Sequence, residues 1–242
     1  GLPYYIGGQV SDLAELTPRD PAFFKDKYNV DVLVLHQVMA IDPTAKTLNI
    51  RNLLTGEAFS DHYDALILAT GASTIRPAIP GRDLPHVFTL RNPSSAQAIR
   101  DFLEERKPKT AVVIGSGFIG LELVENLAQA GLAVTVVEKL PQVCPFVDPD
   151  LAPYVADSLA EHQVSVRTGV SATQIQPDSV ILDDGSGLPA DLVILAVGVR
   201  PNTSLAQAAG IEVGKTGAIA VNSKMQTNLP DIYACGDCAE TF

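Results

Sequence analysis

A chain of 242 residues with 46% hydrophobic residues can bury one large core or two modest ones. Its 28 acidic residues against 17 lysines and arginines leave a net charge of −11, which argues against a nucleic-acid or anionic-membrane surface. No apolar run reaches the roughly 18 residues a membrane helix needs, and three cysteines, an odd number, do not make a disulfide framework, so a reducing compartment, the cytoplasm, is the default.

The chain opens on Gly1-Leu2-Pro3-Tyr4-Tyr5-Ile6, which is unlike a natural N-terminus and points to a piece of a longer protein, so the lack of a leader carries no weight. Residues 1–28 read as helix or loop, with Pro21 placed to open a helix through Phe23, Phe24 and Lys25. Alternation at Val30, Val32 and Val34, then Val38 and Ile41, turns at Asp42-Pro43 and near Thr55-Gly56, and Leu48 and Ile50 between them predict a small antiparallel meander. Asp64 to Thr70, DALILAT, is apolar enough for a strand buried on both faces. Pro77, Pro80, Gly81 and Pro85 mark an irregular connection, and Lys107-Pro108-Lys109 a linker.

From Ala111 to Glu138 the chain reads strand, glycine turn, helix, strand and acid, the dinucleotide-binding fingerprint, with Gly115, Gly117 and Gly120 as the glycines. Gly115 permits the tight turn, Gly117 lets backbone N–H groups approach a pyrophosphate, and Gly120 lets the helix lie close on the sheet. Glu138 stands where its carboxylate can accept hydrogen bonds from a ribose diol, and the helix N-terminus favours the phosphates.

A helix is expected over 148–161, a strand over 164–167, and paired strands over 172–183 with a turn at Asp184-Gly185. Ala190 to Val197, ADLVILAV, is a second buried strand closed by Gly198. Its match to YDALILATGA suggests two related halves; any buried parallel strand reads the same way. The tail, TNLPDIYACGDCA, holds a short apolar strand followed by Gly236-Asp237.

Four landmarks in order, LILATGA at 66–72, VVIGSGFIGLELVENL at 112–127, LAVGVRPNT at 195–203 and TNLPDIYACGDCAE at 227–240, resemble the pyridine nucleotide-disulfide oxidoreductase family of flavoproteins. The opening GLPYYIGG and the stretch VFTLRNPSSAQAI look most like its coenzyme A-disulfide reductase and NADH oxidase/peroxidase branch. The resemblance implies an α/β fold of two Rossmann-like three-layer nucleotide-binding units, each with a small antiparallel meander, the NAD unit being inserted in a partial FAD unit. The expected domains are 1–107, a partial FAD-binding domain lacking its GxGxxG strand-turn-helix; 108–228, the NAD(P)H-binding domain; and 229–242, the return to the FAD-binding domain.

The implied reaction passes hydride from NADH via FAD to a cysteine that reduces a disulfide, persulfide or peroxide, with oxygen as a further acceptor. That cysteine is expected upstream of Gly1, so no catalytic residue of this kind lies in the chain itself, and FAD is expected to be held weakly or not at all. A C-terminal domain that would make the parent a homodimer is likewise expected beyond the chain. By the same resemblance, Phe118 takes the place of the aromatic that gates the nicotinamide and Glu122 that of an acid near the two rings, although an acid there also suits the helix dipole. The NAD contacts then comprise Gly115, Gly117, Phe118, Ile119, Gly120, Glu138, Lys139 and Gly198. The FAD contacts comprise Val38, Ala69, Thr70, Gly71, Gly236 and Asp237, with Arg91 approaching FAD unless it is an ordinary surface arginine.

Glu138 favours NADH, since a carboxylate repels the 2′-phosphate of NADPH, while Lys139 leaves NADPH possible. Cys235-Gly236-Asp237-Cys238 is formally CxxC, yet no second CxxC or histidine pair completes a metal site, and no metal is expected. Two other readings remain: a dinucleotide-binding module without catalysis, and a flavoprotein that reduces a partner electron carrier.

Overall fold

The structure is a computed structural model that describes residues 1–240. In chain order its elements are α1 (Leu2–Ile6), α2 (Pro21–Tyr28), β1 (His36–Asp42), β2 (Thr47–Asn52), β3 (Ala58–His62), β4 (Leu66–Leu68), β5 (Ala72–Thr74) and β6 (Val87–Phe88). Then come α3 (Pro93–Arg106), β7 (Thr110–Ile114), α4 (Phe118–Gln129), β8 (Ala133–Glu138), α5 (Ala152–Glu161), β9 (Ser165–Thr168), β10 (Ala172–Gln176), β11 (Ser179–Leu182) and β12 (Gly187–Pro189). The last are β13 (Leu192–Leu195), β14 (Val199–Pro201), α6 (Ser204–Ala208), β15 (Ile219–Ala220), β16 (Ile232–Ala234) and β17 (Ala239–Glu240). The chain divides into two compact units, residues 1–18 with 74–198, and 19–73 with the chain from Val199 onward.

The first unit is built on a five-stranded sheet of order β6-β13-β7-β8-β9, with every pairing parallel. Its central strands are apolar on both faces because helices and a hairpin cover them: Val112, Val113, Val136 and Leu192 to Ile194 are buried completely. One layer joins Ala111, Val113, Val134, Val136 and Ile194 to Leu123, Val124 and Leu127 of α4 and to Ile99 of α3. The other joins Val112, Ile114, Val137 and Leu195 to the hairpin residues Ile175, Val180 and Leu182. Sequence periodicity places β7, α4, β8, β9 and the β10–β11 hairpin within a few residues of their observed bounds. The strand β6 falls just past the connection read as irregular, and its two residues are too few to carry a period.

Helix α3 begins on a capping box in which the Asn92 side chain accepts from Ser95 N–H and the Ser95 hydroxyl accepts from Asn92 N–H, with Pro93 at the first helical position. Residues 1–18 pack on α3 and α4 within this unit. A Cβ on Gly7 would collide with the side-chain oxygen of Asn126, an α4 residue with no solvent exposure, so only glycine allows this approach.

The second unit holds the meander β1-β2-β3, the parallel pair β4-β16, the pair β15-β17, and β5 with β14. Asp20 caps α2 by accepting from Phe23 N–H, and Asn29 ends it in the left-handed conformation. Two expectations need correction. Val30, Val32 and Val34 are not in a strand; they are 48%, 40% and 59% exposed, and the meander starts only after Leu35, whose φ of 57° interrupts an extended run. The strand expected to be buried on both faces is reduced to β4, in which Leu68 is buried on one face and Ile67 is 65% exposed on the other, because a core packs against the first face and no core cluster among the described residues takes in Ile67.

Candidate functional site

The turn between β7 and α4 is shaped by close backbone approach. Gly115 has φ +105°, and a Cβ there would run into the Ala196 carbonyl; one on Gly120 would run into the carbonyl of Gly115 itself. Gly117 differs, having φ −71° and no heavy atom within 4 Å of its Cβ position. It is the N-cap of α4 and makes no side-chain cap bond, so the first N–H groups of the helix open onto that space.

The turn faces a cavity of about 710 Å³, lined by Gly115, Ser116 and Gly117 on one side, by Glu138, Lys139, Leu140 and Pro145 on another, and by Val170 to Ala172, Ala196 to Gly198, Pro77 and Ile79 on the rest. This volume lies in the range of about 300–1,000 Å³ usual for small-molecule sites. Gly115, Gly117, Glu138, Lys139 and Gly198 therefore meet at one place. Phe118, Ile119, Gly120 and Glu122 do not line it; Phe118 and Ile119 are 70% and 43% exposed, and Glu122 lies exposed one turn along α4 from Phe118.

The carboxylate of Glu138 is buried and engaged within the protein. Its Oε2 accepts from Ser116 N–H at 2.9 Å and from the Ser116 hydroxyl at 2.7 Å, while Oε1 accepts from Leu140 N–H at 2.9 Å. The acid thus fixes both the glycine turn and the loop after β8. The Ser116 hydroxyl in turn accepts from Cys144 N–H at 3.2 Å. Cys144 is buried with φ 53°, and burial pushes its thiol up from the ordinary cysteine value. No sequence signal singled out Ser116 or Cys144 for this site. Ser116 occupies a variable position of GxGxxG, and a loop carries no period to reveal Cys144.

In the second unit a cavity of about 480 Å³ is lined by Val38, Ala69 and Thr70, with His36, Leu66 to Leu68, Asn202 and Leu205. Asn202 ties the turn together: its Nδ2 donates to the Thr70 carbonyl at 2.9 Å, its Oδ1 accepts from the Ser73 hydroxyl at 2.7 Å, and its carbonyl accepts from the Thr70 hydroxyl at 2.6 Å. Gly71, whose φ is +66°, accepts at its carbonyl from Asn202 N–H. Gly236 (φ +72°) and Asp237 are exposed in the short 3₁₀ turn after β16, outside the residues lining that cavity. Arg91 is exposed at the start of α3, in the other unit. Cys238 is fully buried, its thiol donating to the Leu68 and Cys235 carbonyls, as a small hydrophobe would sit.

The model of the pyridine nucleotide-disulphide oxidoreductases matches residues 5–242. The chain belongs to this family. Among its curated relatives, the NADH oxidase of Methanocaldococcus jannaschii is 39% identical over 100% of this chain and 54% of its own length. The coenzyme A disulfide reductase of Staphylococcus haemolyticus is 33% identical over 98% of this chain and 53% of its own length. Of solved family members, the reduced CoADR-RHD of Bacillus anthracis superposes with a TM-score of 0.96 at 41% identity, covering 99% of this chain and 43% of that one. A NAD-dependent persulfide reductase from A. fulgidus gives 0.95 at 39% identity, covering 100% and 46%. The chain therefore spans about half the length of the family members it matches. The α/β fold with its parallel sheet core is that of the flavoprotein reductases in this family.

Proposed function

We propose that the chain is the pyridine-nucleotide-binding part of an NAD(P)H- and FAD-dependent oxidoreductase, working with NADH and reducing a disulfide, persulfide or peroxide, or oxygen. The observation that carries this reading is the open space over Gly117 at the mouth of a cavity of about 710 Å³ floored by the glycine turn. The residues fit a dinucleotide: the space admits a pyrophosphate, α4 offers the N–H groups of its first turn, and the cavity offers apolar walls for a nucleoside. When bound, the nicotinamide and flavin supply the hydride chemistry, and the protein supplies binding and orientation.

In this reading Gly117 and the start of α4 hold the pyrophosphate, and Glu138 keeps the turn in register while its remaining lone pairs accept from the ribose. Phe118 covers the nicotinamide, and Glu122, four residues on, lies on the same helix face beside it. The second unit fits part of a flavin nucleotide at Val38, Ala69, Thr70 and Gly71, with Gly236 and Asp237 reaching the ribityl chain. Arg91 approaching the same nucleotide, a homodimer made through a further domain, and a cytoplasmic site of action belong to the same proposal. Among the described residues no helix is long and apolar enough to cross a membrane.

The same likeness extends to a ferredoxin reductase from Rhodopseudomonas palustris, with a TM-score of 0.83 at 35% identity, so reduction of a partner electron carrier is the second reading. Titration with NADH and NADPH tests the first. NADH binds more tightly in this reading, and at least tenfold tighter NADPH, about 1.4 kcal/mol, reverses the assignment.

A further inference from the structure

Phe118 does not stand alone. Its ring lies against that of Phe146 with centroids 3.8 Å apart and planes inclined by 31°, so each covers one face of the other. Both remain open to solvent elsewhere, Phe118 at 70% and Phe146 at 46% exposure. Phe118 follows Gly117 in the chain and Phe146 follows Pro145, and both of those neighbours line the cavity, so the stacked pair joins the chain just beyond two of the cavity's lining residues.

The sequence builds this contact. Cys144, Pro145, Phe146 and Val147 form a turn closed by Val147 N–H donating to the Cys144 carbonyl at 3.0 Å, with proline at the second position and Phe146 at the third. Gln142 Nε2 donates to the Val147 carbonyl at 3.0 Å, and Cys144 N–H donates to the Ser116 hydroxyl of the glycine turn at 3.2 Å. The turn is therefore anchored on the glycine turn that leads into α4, and Phe146 is presented to Phe118, the first residue of that helix.

From this contact we infer that Phe146 is a positioning residue for the nicotinamide site: it is the resting partner of Phe118, and a nicotinamide ring takes the Phe118 face by displacing it. The inference rests on the proposed reading of Phe118 as the residue that covers the nicotinamide. Two phenyl rings exposed to water gain by stacking on each other, and that gain opposes any ligand that must separate them. Removing Phe146 removes the opposition.

The test is NADH and NAD⁺ binding to the wild-type chain, Phe146→Ala, Phe118→Ala and the double variant. Phe146→Ala binds NADH about two- to tenfold tighter than wild type, the span expected for one aromatic pair. The gain disappears in the Phe118→Ala background, a coupling that a merely structural role of Phe146 does not produce. The chain has no tryptophan, so Phe146→Trp gives a single fluorescent reporter. Its emission moves to the red when saturating NAD⁺ frees the indole from Phe118, and the Phe118→Ala/Phe146→Trp chain is red before any NAD⁺ is added. Unchanged or weaker NADH binding by Phe146→Ala overturns the inference, as does an emission of Phe146→Trp that saturating NAD⁺ leaves in place: the nicotinamide then uses another face and Phe146 is a support. Failure of the wild-type chain to bind either NADH or NADPH instead overturns the reading of the site itself.

Discussion

Gly117→Ala separates binding from packing. With φ −71° and nothing within 4 Å of the new methyl, the substitution meets no steric obstacle in the fold. Alanine also restricts the unfolded chain, a gain of about 0.4–1 kcal/mol that is offset by a loss of similar size, since alanine is a markedly poorer N-cap than glycine. Net stability changes by less than about 1 kcal/mol, or about 2–4 °C in Tm for a chain of this size. The methyl nevertheless fills the space through which a pyrophosphate reaches the first N–H groups of α4. Loss of one charge-assisted hydrogen bond of about 1.5–3 kcal/mol weakens NADH binding about 10- to 150-fold. Isothermal titration gives the affinity and a thermal melt gives the stability. Gly120→Ala is the contrast: its methyl meets the Gly115 carbonyl, so it lowers stability by about 1–3 kcal/mol before any ligand is added. NADH affinity within twofold of wild type in folded Gly117→Ala would refute the assignment of the pyrophosphate to this turn.

Glu138→Ala strands three donors, the Ser116 N–H and hydroxyl and the Leu140 N–H, and lowers stability by about 2–4 kcal/mol in urea unfolding, whereas loss confined to NADH affinity would mean that the acid serves the ligand alone. Asp191 accepts from the N–H groups of Lys109 and Thr110 and from the Thr110 hydroxyl, and these bonds, the Lys109 N–H foremost, hold its carboxyl below the ordinary aspartate value. A lowered folded pKa stabilises above the unfolded value of about 3.9 and loses that contribution as pH falls through the folded value. Asp191→Ala therefore costs about 1 kcal/mol at pH 7, a figure kept low because solvent screens this exposed carboxylate, and progressively less below about pH 4. Equal deficits at pH 7 and pH 3 in urea unfolding would break this linkage. In native protein at pH 8, the half-exposed Cys235 reacts first with a disulfide reagent, and the buried Cys144 and Cys238 wait for unfolding, as stopped titration of thiols will show. Rapid modification of two thiols would contradict the burial.

What could be read from the residues alone was local. Ala111 to Glu138 carries its own strand, turn, helix and strand in a continuous pattern, because each element buries a face whose period is written along the chain. The β10–β11 hairpin and the buried strand β13 were legible for the same reason. The two-residue strand β6 was not, since it exists only by pairing with β13, about a hundred residues later in the chain.

The site divides in the same way. Which glycines make the turn, and that an acid ends β8, are written along the chain, because those requirements are backbone conformation and close approach within one supersecondary unit. That Glu138 directs its carboxylate to Ser116 and Leu140, that Asn202 clamps Thr70 and Ser73, and that Phe146 covers Phe118 emerge only in the folded arrangement. Partners of this kind are set by where loops land once the sheet has formed, and no periodicity along the chain records it.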